Sequence, residues 1–279
     1  MQARSLKDLV QIPAGERPGV IAEGLQALVE HVTELTSEVE TVAAAACTRA
    51  VPTLQMQSEE ESAKVLILLD LVRASCDDAA VSTHAGFFYG HLSRCIYARM
   101  AEMRPANFAE VRTLVDSMRA SLYLDGPSSV DWICRNELID SRERSLYVDF
   151  VRHEDGMHWT SPADPQSKGW GVYIHVQKLV MSMDRLGMTN AKALEIISQH
   201  WKNQHLDDAT HWQVVAQINR KIVEALLDAG LTDQNVTSDD TRRVIEHWTF
   251  PLSTLDLRER KVTMEELEEQ RNRRLAELS

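Results

Sequence analysis

Between Ile21 and Ala46 the apolar residues Ile21, Leu25, Leu28, Val32, Leu35, Val39, Val42 and Ala46 recur at spacings of 4, 3, 4, 3, 4, 3 and 4. That rhythm keeps one face of a helix apolar for about 25 residues, and such a seam is buried by packing at a shallow angle against other helices. Pro18 stands where a first helical turn tolerates it, and Pro52 is expected to end the helix. With 11 glycines and 8 prolines in 279 residues, breakers are scarce, which favours helix throughout.

A second helix opens in "QSEEESAKVLILLDLV", Gln57 to Val72. Ser58 and Glu61 fit a capping box, while Glu59 and Glu60 suit the positive end of a helix. Glu60 and Lys64 are spaced i,i+4 in the favourable order. Yet Lys64 is surrounded by Ala63, Val65, Leu66, Ile67, Leu68, Leu69, Leu71 and Val72. A helix so widely apolar is buried on most sides, and a lysine in it needs a partner. Two readings stand side by side: a solvated Glu60–Lys64 pair near a helix end, or a buried polar network bracing a site.

A third helix is expected from Ser82 to Met103, with His84, His91 and Cys95 on one stripe. His91 and Cys95 have metal-ligand spacing, but two ligands do not make a centre and no second pair is evident. A histidine beside a carboxylate is the simpler reading, and no metal is expected. A fourth helix starts at Asn107, with Glu110 three residues on, and breaks at Asp125–Pro127. The fifth runs from Ser128 or Ser129 and carries Arg135, Asp140, Arg142 and Arg144, followed by Tyr147 and Asp149. Arg135 and Arg142 share a face, and guanidinium groups grip phosphates or carboxylates. Nearby acids make an ion-pair-laced surface an equal explanation.

From Tyr147 to Gly169 the pattern reads as an irregular segment, the kind of long loop that is functional or flexible. Helices follow over about 169–188, 190–202, 208–229 and 238–248. Gly230 closes the third of these, and Thr237 with Asp240 opens the fourth. The tail from Lys261 reads as a solvated helix capped by Thr263 and Glu266, with a Glu269–Arg273 pair. The expected architecture is all-α: a helical bundle over residues 17–165, a C-terminal helical extension over 166–250 packed on it, and a polar tail helix over 251–279.

Net charge is -12, which opposes general attraction to nucleic acid, and no DNA partner is expected. No apolar run reaches the ~18 residues of a membrane span, and the N-terminus has no apolar core of a secretory signal. The four cysteines are widely spaced and read as reduced thiols, so a cytoplasmic protein is expected. A phosphate loop, a dinucleotide fingerprint and a nucleophile elbow are all missing, and no cofactor is expected.

Three stretches together carry a family resemblance. "SEEESAKVLILLD" resembles the second-helix motif of the AbiV-type abortive-infection proteins, an E-E-x-x-K element after a long amphipathic helix. "HLSRCIYARM", with His91 and Arg94, is similar to their next helix. "RERSLYVDF", followed by Trp159 to Pro162, looks like their arginine, L-Y-V-D and proline-containing segment. The resemblance spans roughly residues 20 to 165. It implies a HEPN-like helical bundle, a homodimer, and a role in stopping phage propagation, by RNA cleavage or by blocking translation. The alternative is a non-enzymatic protein that binds a phage or host protein. The group's ribonuclease signature is an arginine followed after four to six residues by a histidine. Here the corresponding positions read Arg135-x4-Asp140 and Arg142-x4-Tyr147; Arg242-x4-His247 has the spacing but lies outside the matched region. The resemblance nominates Arg142, Tyr147 and His91 as catalytic. Glu60, Lys64, Arg135, Asp140, Arg144 and Asp149 form the supporting polar network.

Overall fold

The computed structural model describes residues 5–47, 49–121, 136–153, 156–162 and 175–263, and beyond these positions 265, 266, 269 and 272. The chain is predominantly helical and its fold is all-α. After a short 3-10 turn (Leu6–Gln11), helix α1 (Arg17–Ala44) buries the seam at Ile21, Leu25, Val32, Leu35 and Val39. Pro18 falls in its first turn.

Pro52 does not end α1, which stops at Ala44. It lies instead in the first turn of α2 (Ala50–Arg73), where a missing N–H is harmless. Ser58 and Glu61 are therefore mid-helix and form no cap. Ser58 is buried with its hydroxyl 3.3 Å from that of Thr36 on α1. Every side chain from Val65 to Val72 is buried, because α2 packs against α1, α3, α4, α6, α7 and α8.

The helix expected over 82–103 is two helices, α3 (Asp78–Tyr89) and α4 (His91–Glu102). Gly90 joins them in an extended conformation, φ -80° and ψ 121°. A side chain there would bring a Cβ within 3.1 Å of the Gly86 carbonyl, so glycine permits the tight corner. Helix α5 (Phe108–Arg119) is capped as expected, the Asn107 side chain accepting from Glu110 N at 2.9 Å. It leads into β1 (Ala120–Ser121), which pairs in parallel with Arg260–Lys261.

Helix α6 (Glu137–Leu146) is capped by Asn136, whose side chain accepts from Leu138 N and Ile139 N. The expected beginning of this helix, with Arg135, lies outside the described residues. The segment read as irregular contains an antiparallel hairpin, β2 (Asp149–His153) and β3 (Gly156–Thr160), with Phe150 opposite Trp159. Aromatic side chains paired across neighbouring strands stabilise such a ladder, a local signal that the turn residues masked.

Helices α7 (His175–Arg185), α8 (Ala191–Trp201), α9 (Trp212–Asp228) and α10 (Ser238–His247) follow the expected order. The capping box at α10 has both arms, Thr237 N to Asp240 at 3.0 Å and Asp240 N to Thr237 at 3.2 Å. Arg260–Lys261 forms β4. In the tail, Glu266 N donates to the Thr263 hydroxyl at 3.3 Å; Arg273 lies outside the described residues.

One apolar core runs from Leu9 to Leu257, drawing on α1, α2 and α4 together with α7, α8 and α9. It is continuous across the expected boundary at 165–166. Among the described residues, no helix is long and apolar enough to cross a membrane.

Candidate functional site

Helices α2, α4 and α6 pack against one another, and each sends charge into the junction. Glu60 on α2 is the centre, its side chain only 9% exposed. Its Oε1 accepts from Arg142 Nε of α6 at 3.0 Å. Its Oε2 lies 3.1 Å from Arg94 Nη2 of α4 and 3.0 Å from His91 Nδ1. Arg94 Nη2 also stands 2.8 Å from His91 Nδ1. The corner at Gly90 makes this possible, since it starts α4 at His91 and places Arg94 one turn later on the same side.

One carboxylate thus faces two guanidinium groups and an imidazole. With His91 neutral, the cluster carries one net positive charge in a protein of net charge -12. Arg94 is 10% and Arg142 23% exposed, while the His91 side chain is 52% exposed. The guanidinium groups are held inside by the carboxylate, and the imidazole forms the open mouth.

The neighbourhood is tuned by burial. Burial raises the Glu59 carboxyl to about 7, against the hydrogen bond from Gln55 at 3.1 Å; the charge of Glu102 adds to the rise. Burial pushes the Cys95 thiol up to about 12, and the carboxylates of Glu60 and Glu59 add to it. Cys95 is therefore an inert thiol here. Among the described residues no group of three or more His, Cys, Asp or Glu is placed to hold a metal ion, and the Gly90 corner takes His91 and Cys95 off the stripe of His84.

Three of the predicted residues meet at this centre: Glu60, His91 and Arg142. Lys64 does not pair with Glu60. Its Nζ binds Glu61 Oε1 at 2.5 Å and lies 5.3 Å over the Phe88 ring. The physical reason is competition: Glu60 faces α4 and α6, where two guanidinium groups take its oxygens, and Lys64 turns along the flank of α2. Tyr147, expected to be catalytic, takes no part in the hydrogen bonds around Glu60. It caps the end of α6 and is 55% exposed. Asp140 and Arg144 lie on α6 and Asp149 opens β2; their side chains, and all of Arg135, lie outside the described residues.

Arg94 was named by sequence only within a motif, without a partner. A second charged group lies outside the residues that the sequence singles out. Asp70 and Arg73 of α2 bind each other at 3.1 Å, deep in the core. Asp70 also accepts from Tyr97 OH at 2.9 Å and Leu252 N at 2.8 Å. Arg73 lies between the rings of Trp201 and Trp248, at 4.6 and 3.5 Å, and donates to the Thr249 carbonyl at 2.9 Å. Burial lowers the Arg73 guanidinium to about 10, opposed by Asp70. Two opposite charges three residues apart inside an apolar run were the available signal. This network fastens the segment after α10 to the central helix. A cavity of about 20 Å³ beside it is lined by Asp70, Arg73, Tyr97, His247 and Trp248, with room for roughly one water. Arg242 and His247 do not act together: Arg242 pairs with Asp239 at 2.5 Å, and His247 Nε2 accepts from Arg104 at 2.8 Å.

Fold and site define a class, an all-α bundle whose central helix presents a buried carboxylate to two arginines and a half-exposed histidine. No protein-family profile, curated protein or solved structure matches the chain.

Proposed function

We propose that this is a phage-defence protein of the abortive-infection kind, a HEPN-like cytoplasmic homodimer that blocks phage propagation by cleaving RNA at the Glu60 cluster. The observation that carries this reading is the convergence of its three quoted motifs. E-E-x-x-K supplies Glu60, HLSR supplies His91 and Arg94, and RERSL supplies Arg142. Residues scattered over three segments meet where a phosphate would find guanidinium and imidazole side by side.

The chemistry suits these groups. In cleavage by the neighbouring 2′-hydroxyl, phosphorus passes from the 5′-oxygen to the 2′-oxygen; one proton is lost from the hydroxyl and one gained by the leaving oxygen. Arg142 stabilises the charge on phosphorus, and His91 is the group that moves a proton near neutral pH. Purified protein is expected to cut total cellular RNA, and His91→Ala or Arg142→Ala to slow cutting by about 100-fold or more. The same variants are expected to lose protection in a phage challenge. Undiminished cutting by both folded variants would sink the assignment.

A second reading rests on the hairpin. Phe150 and Trp159 pack with ring centres 5.1 Å apart at a tilt of 47°, yet they are 52% and 70% exposed, and Val148 and Met157 are exposed as well. An apolar patch of this kind marks a surface for protein partners. In that case the protein acts without cutting RNA, by binding a phage or host protein. Protection would then be lost on Trp159→Ala and kept on His91→Ala.

A further inference from the structure

We infer that Arg94 is a positioning residue that sets the tautomer of His91, leaving Nδ1 bare and the proton on Nε2, so that the ring meets a bound oxyanion as a hydrogen-bond donor. The inference rests on the cluster being the phosphate-handling site, but only for its use; the tautomer is argued from the contacts at Nδ1 alone.

His91 Nδ1 has two neighbours with opposite demands. Arg94 Nη2, at 2.8 Å, can only donate. Glu60 Oε2, at 3.0 Å, can only accept while ionised. A proton on Nδ1 would satisfy Glu60 and collide with the N–H of Arg94. A bare Nδ1 satisfies Arg94 and sets its lone pair 3.0 Å from Oε2 and 3.3 Å from Oε1, a repulsion that the guanidinium groups of Arg94 and Arg142 on the same carboxylate offset.

Glu60 is well supplied with these. Arg142 Nε holds Oε1 at 3.0 Å and Arg94 Nη2 holds Oε2 at 3.1 Å. It does not need the imidazole. Arg94 is the poorer partner: its Nε is buried without a hydrogen bond among the described residues, so the acceptor at Nδ1 matters to it. The charged groups on the three helices thus agree. Glu60 on α2 is satisfied by arginines from α4 and α6, and the lone pair of Nδ1 goes to Arg94.

The opposite ring nitrogen then carries hydrogen. Nε2 makes no hydrogen bond among the described residues and belongs to a side chain half open to solvent. On the same carboxylate, Arg142 uses Nε, the one of its nitrogens bound to Glu60 among the described residues. Its terminal nitrogens make no hydrogen bond among the described residues and are the groups offered to an anion. The mouth therefore offers an imidazole N–H and a guanidinium fork to one oxyanion, with phosphate as the chemical class. Within the ribonuclease reading, this puts His91 on the donor side of the proton transfer, toward oxygen on phosphorus, and not in the role of base at the 2′-hydroxyl. No bond is made or broken in this step.

The test is nitrogen-15 NMR of the histidine side chains, with backbone spectra as the control for folding. In the wild type above the ring's titration, His91 is expected to show an unprotonated Nδ1 and a protonated Nε2. A scalar coupling across the hydrogen bond should link Nδ1 to the Arg94 guanidinium. In Arg94→Met the proton is expected to move to Nδ1, where Glu60 becomes its acceptor; in Arg94→Lys it should stay on Nε2. Inorganic phosphate should shift the Nε2 resonance in the wild type and much less in Arg142→Ala. A wild-type neutral ring protonated at Nδ1, or a folded Arg94→Met ring still protonated at Nε2, overturns the inference. Should Arg94→Met fail to fold, the wild-type coupling decides alone. These readouts do not depend on RNA cutting, so a protein that cuts nothing can still carry this tautomer, and a nuclease can lack it.

Discussion

Glu59, half-buried on α2, and His84, buried on α3, give the protein opposite responses to pH. Burial raises Glu59 to about 7 from its usual 4.5. The folded state then binds a proton that the unfolded state has released, so this residue removes stability as pH rises from about 4.5 to 7. The full cost above that window is about 3 kcal/mol at most. Glu59→Gln is expected to raise stability at pH 8 by about 1–3 kcal/mol in urea titrations, and to change little at pH 4.5. His84 acts in the other direction. Burial lowers it below its usual 6.5, Nδ1 sits 2.7 Å from the Ala80 carbonyl, and Nε2 is buried without a hydrogen-bond partner among the described residues. The unfolded state takes the proton more readily, so the contribution of His84 is complete above about 6.5 and fades on acidification. His84→Leu is expected to flatten the fall of stability below pH 6.5, read from the same titrations.

Among the elements, the turns and caps are the tightest constraints. Gly187 joins α7 to α8 with φ +75°, and a Cβ there would collide with the Leu231 carbonyl. Gly187→Ala is expected to cost more than about 1 kcal/mol, seen as a lowered melting temperature, because both backbone and contact resist it. The double arm at Thr237 and Asp240 is a second such point. There burial pushes the Asp240 carboxyl up, but hydrogen bonds from Thr237 and Ser182 outweigh it and hold it at about 2. Thr237→Ala is expected to cost about 1–2 kcal/mol. Where caps were local in sequence, at Asn107 and at Thr237, they were readable in advance. The break at Gly90 was not, because its cause is the close approach of Gly86 and the packing of two helices against α2.

At the scale of the whole molecule, the core decides what can be separated. Helix α2 touches helices from both sides of residue 165, and the Asp70–Arg73 pair ties the segment after α10 to it. A fragment ending at 165 would expose the faces of α1, α2 and α4 that meet α7 and α8. It is expected to aggregate or stay unfolded, as circular dichroism and gel filtration would report. The intact chain should unfold in one urea transition, coincident by fluorescence and circular dichroism. Arg73→Met would leave Asp70 without its charge partner and cost about 3–5 kcal/mol.

The amino-acid order by itself specified helices, because a 3.6-residue period and local caps need only neighbours along the chain. The seam of α1, the wide apolar girth of α2 and the order of the C-terminal helices were all determined at that level. Which cations Glu60 meets was decided only in three dimensions, although the Asp70–Arg73 and Glu61–Lys64 pairs lie within one turn of α2. Glu60 stands four residues from Lys64, yet it is held by Arg142, 82 positions away, and by Arg94 and His91 across a bend. A buried charge is satisfied by whichever donors packing brings within about 3 Å, and chain spacing has no say in helices that meet side by side.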